Sequence, residues 1–506
     1  MTDEEHVALR RSAAIDVGSV AEDEARGNTP IEAIRPPSGS PRSLRVSRRT
    51  LLIGASLLAV ALLLAAGAFA AHEIVVKLVD IRYRLQLLEA RQESLGRIEA
   101  VMVEREQAAR GAARFTAPRQ PSPFQRGTWE KIAGHGLVSG WPEDYTKTKA
   151  LAVHADRLYV GLARPNQGAA QVWRFDGAAW EQIGSAETVP DWARHSYVSA
   201  LVSDGTTLYA GIGDTIWAYD ARRGWRQIGD HARGGSWPAG SYSNAYALAV
   251  HRGRLIVGMT GGTQAAVYAY AAGAWEKIAG DGLRAGWSED RYTGVYELWT
   301  HSDGNLYAGL IANPGPAAVF RFDGARWEKI GGDGVNGSWR NTGFSHVLSF
   351  ASLDGRLVAS MNRHPMVAGN FSSVWSFDGK AWQPVGLGHI PPLWGHMHSY
   401  NALAAYEGRL VIGAGGHPAG NASVWELEDG MKPVMAGGRG IKGSWSGDEW
   451  SPFAWLRFGN VEYVYRFVIW RGDLVAGFGD DPGSAEVWRY RADRGAQHPK
   501  QNRLRH

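Results

Sequence analysis

The chain contains no cysteine. Disulfides therefore add nothing to its stability, and thiolate nucleophiles and thiolate metal sites are excluded. The absence leaves the compartment open. Charge of one sign is also scarce. Lys and Arg total 54 against 50 Asp and Glu, a net +4. That balance gives no electrostatic footprint for nucleic acid, and no nucleic-acid partner is expected. Long apolar runs are rare too, with one exception at residues 51–71.

Tryptophan and glycine are abundant. All 22 Trp fall between Trp129 and Trp488, and there are 64 Gly. Seven Trp are nearly evenly spaced: Trp141, Trp192, Trp237, Trp287, Trp339, Trp394 and Trp445, at steps of 51, 45, 50, 52, 55 and 51 residues. Each opens a module with a short apolar strand, Gly-x-Leu-φ-φ-Gly, a variable loop and an aromatic-x-φ-x-Gly-x-x-Trp stretch. A repeat of this length, with room for four strands, predicts an all-β fold, a seven-bladed β-propeller over 128–490. The seventh module lacks its own outer strand. Trp129-Glu130-Lys131-Ile132 precedes the first and matches the missing piece. The N-terminal strand is therefore expected to close the last blade. The sixth module has Met431-Lys432-Pro433-Val434 in place of the outer Trp strand and is expected to be the weakest.

Gly161, Trp173, Phe175, Asp176, Gly177 and Trp180 together resemble the kelch pattern of Gly, aromatic and Trp. The resemblance covers the ring alone and implies a kelch-like or galactose-oxidase-like propeller, many of which bind proteins or glycans. Galactose oxidase itself uses copper and a Cys-linked Tyr, which a chain without Cys cannot form. The adjacent Asp378-Gly379 and its counterparts differ from the sialidase Asp box, which spaces the two residues.

The first part of the chain reads differently. Residues 1–49 are polar, with balanced charge, and are expected to be a disordered cytoplasmic segment. Residues 50–71 hold the uncharged run of 21 residues. At about 1.5 Å per residue a helix of this length crosses a bilayer core. Arg42, Arg45, Arg48 and Arg49 before it predict a signal-anchor with its N-terminus inside. An alternative is a cleaved twin-arginine signal, read from Ser47-Arg48-Arg49-Thr50-Leu51-Leu52 and Ala68-Phe69-Ala70. Either reading puts the propeller in the periplasm or outside the cell. Within 72–110, Ile74, Leu78, Ile81, Leu85, Leu88, Gln92, Leu95 and Met102 keep heptad spacing. This predicts a coiled-coil stalk that self-associates through residues 74–102; a lone amphipathic helix is the alternative. Residues 111–127 read as a linker and 491–506 as a disordered basic tail.

Function is far less legible than fold. Loops that carry the seven Trp and loops joining second to third strands share one face. There His346, Arg363, His364, His396, His398 and His417 fall on the fifth and sixth modules. They offer ligand hydrogen bonding, a general acid and base, or a metal site. Polar loop residues with no such role are the commoner reading. The seven Trp are either inter-blade packing or an aromatic rim for sugars. Non-repeating aromatics are the sharper ligand candidates: Tyr145, Tyr292, Phe344, Tyr400 and Trp450. No cofactor or metal is expected, and no residue is assigned a catalytic role. The expected function is a membrane-anchored module that binds or scaffolds a protein or a cell-envelope glycan. The alternative is an envelope carbohydrate-active enzyme using the His-rich loops.

Overall fold

Chain reversals set the architecture. At the inner turns, Arg252-Gly253, Asp354-Gly355, Glu407-Gly408 and Arg471-Gly472 all hold φ between 47° and 81°. Two successive positive φ values make the two-residue turn whose twist suits antiparallel strands. The outer turns use a carboxylate. Asp176, Asp323 and Asp378 each accept backbone N–H bonds from the residues two and three further on, at 2.8–2.9 Å. The Asp-Gly pairs are thus turn chemistry.

A computed structural model describes Phe115 and most of residues 121–493; the longest internal stretches outside it are 364–371, 386–398 and 446–462. Among the described residues run 28 strands, paired antiparallel in fours, six of them consecutive in the chain and the seventh made of the last three strands and the first. The first strands of the units are Lys147–His154, Val198–Ser203, Asn244–His251, Tyr292–Thr300, Phe344–Leu353, Ser399–Tyr406 and Tyr463–Trp470. Each lies beside the first strand of the next unit, and the last lies beside the first. This is the arrangement of a β-propeller.

Closure follows the expected route. Gly127–Ala133 pairs antiparallel with Glu486–Ala492, setting Trp129 opposite Tyr490. The edge strand of the last unit is thereby covered by the start of the ring. The expected boundaries shift slightly, to 127 and 492. Part of the expected linker also docks on the ring. Phe124 lies 4.6 Å from the Tyr490 ring and stacks on Trp129. The Tyr490 hydroxyl donates to the Pro123 carbonyl at 2.7 Å.

Two repeated residue types hold neighbouring units together. Outer-strand Trp side chains donate to a carbonyl of the preceding unit: Trp180 to Ile132, Trp225 to Ile183, Trp275 to Ile228, Trp327 to Ile278, Trp382 to Ile330 and Trp129 to Ala436, at 2.7–3.0 Å. Strands splay outward in a wedge-shaped unit, so large rings fill the widening gap. Nearer the axis the need reverses. A Cβ on Gly161 would stand 2.7 Å from Val198, and one on Gly309 2.7 Å from Val347. The last Gly of Gly-x-Leu-φ-φ-Gly thus lets the next unit approach.

The expected segments 1–49, 50–71 and 72–110, and residues 494–506 of the tail, lie outside the described residues. Among the described residues no helix is long and apolar enough to cross a membrane.

Candidate functional site

Every first strand carries a bulge near its start. The residue without an opposite partner is Lys149, Ser199, Tyr246, Tyr296, Leu348, Asn401 or Tyr465, unit by unit. A bulge bends the strand and re-aims a side chain. Here the innermost strands form a closed cycle; Ser199 and Leu348 are buried, while Lys149, Tyr246 and Tyr296 reach across to other units around its axis. Lys149, Tyr246, Tyr296 and Tyr465 are half-buried.

Side chains from different units then meet. Lys149 Nζ stands 4.0 Å from the Tyr246 ring centroid and 5.5 Å from that of Tyr197. Both are cation–π distances. The Tyr246 hydroxyl donates to the Tyr296 hydroxyl at 2.6 Å, with ring centroids 4.4 Å apart. Tyr296 in turn meets the His346 ring edge to face at 5.5 Å. A continuous run of polar aromatics and one ammonium therefore links the first unit to the fifth.

One ion pair completes the cluster. Arg466 Nη1 donates to Glu297 Oε2 at 2.8 Å, joining the seventh unit to the fourth. Both residues directly follow the bulge, where the other units have Ala150, Ala200, Ala247, Ser349 and Ala402. Only two units place a charge there, and the charges are opposite and in contact. Burial pushes the Glu297 carboxyl up, while Arg466 opposes that by favouring the anion. For Arg466 the cost of burial is outweighed by Glu297, and its guanidinium is held above the usual range.

The residues singled out from sequence fall mostly elsewhere. His346 is half-buried on the first strand of the fifth unit, 2.6 Å from Ser345 Oγ through Nδ1 and beside Tyr296. Arg363 ends the strand Arg356–Arg363, opposite Phe344. His364, His396, His398, His417 and Trp450 lie outside the described residues. Tyr400 is 4% exposed and packs with Val374, Leu403 and Ile412. Tyr145, Tyr292 and Phe344 are buried likewise. These rings stand at or close to the start of inner strands, where apolar burial stabilises the fold.

The repeated Trp are also packing residues. Trp141, Trp192, Trp237, Trp287 and Trp339 are all at most 4% exposed. Trp141, Trp287, Trp339 and Trp445 donate to the carbonyls of Ala485, Ala265, Ala317 and Ala422 at 2.7–2.8 Å. Trp141, Trp192, Trp237, Trp287 and Trp339 therefore offer no exposed face to a sugar; Trp445 is partly buried, and Trp394 lies outside the described residues.

The axial cluster went unmarked in the sequence because its members differ from unit to unit. A signal was present in the alignment of the repeats with one another: Glu297 and Arg466 occupy a column otherwise held by Ala and Ser.

No protein-family model matches the chain, and no curated protein matches it in sequence. Solved structures resemble it in shape. The extracellular domain assigned to a one component system from B. thetaiotaomicron is 12% identical over 72% of this chain, with a TM-score of 0.46. This chain covers 40% of that one. YCF48 from Cyanidioschyzon merolae is 11% identical, covering 72% of this chain and 98% of its own, at TM-score 0.45. The Pan2 WD40 domain of Neurospora crassa is 8% identical, with coverage of 75% and 98% and a TM-score of 0.43.

Proposed function

We propose that the chain is a membrane-anchored, extracytoplasmic binding and scaffolding module. In this reading the seven units are the blades of one kelch-like ring. Residues 50–71 are its anchor, with the N-terminus in the cytoplasm, and 72–110 are a stalk that self-associates through 74–102. The arginines before the apolar run and the heptad spacing after it support that layout. The partner, a protein or a cell-envelope glycan, meets the axial end of the ring on the face that carries the Trp loops.

The axial cluster is the observation that carries this reading. Lys149, Tyr246, Tyr296 and His346 come from four units, touch in sequence, and stay half-buried. Packing alone calls for apolar residues at such positions. Partly exposed tyrosines pair an apolar body with a polar tip, which suits recognition.

The test is binding of the full-length chain, in detergent, to immobilised envelope glycans and envelope proteins, beside a Tyr246→Ala/Tyr296→Ala variant. A ligand retained by the parent and lost by the variant supports the axis as the site. Equal retention by both removes it. Protease accessibility from either side of sealed vesicles tests the topology.

A further inference from the structure

We infer that Phe115 stands in for the outer-strand Trp that the sixth unit lacks, and that Phe115 and Phe124 together clasp the chain before the ring onto that unit. This is independent of what the axis binds.

A comparison of the seams is the first argument. Six seams between neighbouring units pack an outer-strand indole: Trp180, Trp225, Trp275, Trp327, Trp382 and Trp129. The seam between the fifth and sixth units has Pro433 at that register, opposite Leu427. Both side chains are smaller than the aromatic pair found elsewhere, and interiors of this kind tolerate little empty space. Phe115 joins this seam instead. It is 8% exposed and clusters with Leu353, Val374 and Val385 of the fifth unit and Leu410, Trp425 and Leu427 of the sixth. Val385 aligns with Ile330, whose carbonyl accepts from Trp382 one seam earlier. Phe115 therefore brings a ring to this seam but no donor.

The sequence of the segment is the second argument. Within residues 111–127 the two aromatics are Phe115 and Phe124, set among Ala, Pro and polar residues. Both reach seams of the sixth unit. Phe124 lies 5.9 Å from the Tyr406 ring of the sixth unit and 4.6 Å from the Tyr490 ring of the seventh. Tyr406 directly precedes the Glu407-Gly408 turn, so this contact is on the turn side of the ring. Among the described residues, these two are the members of the seven seam clusters that precede the first strand. The unit that departs from the repeat is thus the one flanked by rings from outside the repeat. The sixth unit becomes the place where the ring is held by the chain that leads into it.

The experiment is amide hydrogen exchange on the detergent-solubilised full-length chain, which reads local opening unit by unit. Phe115→Ala is expected to speed exchange at least tenfold in Arg409–Gly415 and Ser423–Glu428 of the sixth unit. Leu208–Ile212 and Thr215–Asp220 of the second unit should not change. Phe124→Ala should act in the same way on Asp473–Gly479 of the seventh unit. Gln125→Ala, at an exposed position, should change nothing. If Phe115→Ala yields no folded protein, Phe115→Leu carries the same comparison with a smaller rise. The stand-in is tested in the Leu427→Phe/Pro433→Trp background. There the new indole displaces the Phe115 ring and adds the donor it lacks, so Phe115→Ala should no longer speed exchange. Unchanged exchange in the sixth unit, or an equal rise in the sixth and second units, overturns the clasp. The same rise with and without the new indole overturns the stand-in. No response of the seventh unit to Phe124→Ala removes the second point of attachment.

Discussion

Pro433 stands opposite Leu427 in the sixth unit, where every other unit sets a Trp opposite a Phe or Tyr. The outer strand Lys432–Gly437 still forms, so the departure seen in sequence does not abolish the unit. It abolishes a seam bond instead. Pro433 has no indole to donate to the fifth unit, and the aromatic pair is gone. Leu427→Phe/Pro433→Trp should therefore stabilise the chain. One hydrogen bond contributes about 1 kcal/mol, and a large ring buries on the order of 150–250 Å². A raised denaturation midpoint supports the account; a lowered one means that something else fills this seam.

The converse substitution is informative at an intact seam. Trp225→Phe keeps much of the ring and deletes the bond to the Ile183 carbonyl, 2.9 Å long. The stranded acceptor should cost about 1–3 kcal/mol, read from urea unfolding.

Close approach near the axis gives a second kind of prediction. Gly309→Ala puts a methyl 2.7 Å from Val347 Cβ and Cγ1. Overpacking of this kind costs about 1–3 kcal/mol. Val347→Ala in the same chain should recover part of the loss. Additive losses in the double variant would show that the two residues do not share the seam.

The contrast between seam and site explains what the sequence discloses. Trp180 and its counterparts, and Gly161 and its counterparts, solve the same packing problem in each unit, so they recur and betray the ring. Trp129 could be assigned to the last unit because it completes that pattern. The axis poses a different problem in each unit. Lys149, Ser199, Tyr246, Leu348 and Asn401 share a bulge position but differ in chemistry, so no motif marks them. The residue type of His346 is visible in sequence, but its neighbour Tyr296 is what places it at the axis. Tyr400 shows the limit of residue type alone, since a lone aromatic looks the same in sequence whether it meets a ligand or the core, and this one is 4% exposed.

Acid should weaken the ring through its histidines. Burial, with Arg194 nearby, brings His195 down to about 4. Burial lowers His154 and His251 too, the latter with Arg252 and Arg254 close by. Unfolded, each titrates near ~6.5. Below that pH the unfolded chain binds more protons than the folded one, so stability falls as pH drops. It should be full above about 6.5 and decline toward the folded values, by about 1.4 kcal/mol per pH unit for each proton of difference. Urea midpoints from pH 7.5 to 4.5 test this. His195→Gln and His251→Gln should flatten the slope. An unchanged slope would place the acid sensitivity in the carboxylates of the turns.

The pair of Glu297 and Arg466 invites the sharpest test, because the repeat supplies its own control. Four other units fill this column with Ala and one with Ser. An Ala at either position is thus compatible with the backbone. Glu297→Ala alone leaves Arg466 as a charge without its partner, and Arg466→Ala leaves a buried carboxylate. Each should cost about 3–5 kcal/mol, whereas the double variant should cost far less, since losing a whole buried pair is often close to neutral. Stability of the four chains in a double-mutant cycle gives the coupling. Arg466→Ala carries a second readout through burial of Glu297: without the guanidinium, its carboxyl should rise further, and the variant should regain stability as pH falls and Glu297 takes up a proton. A cycle with additive losses and no pH response would mean that the two charges stand together without holding the fourth and seventh units to each other.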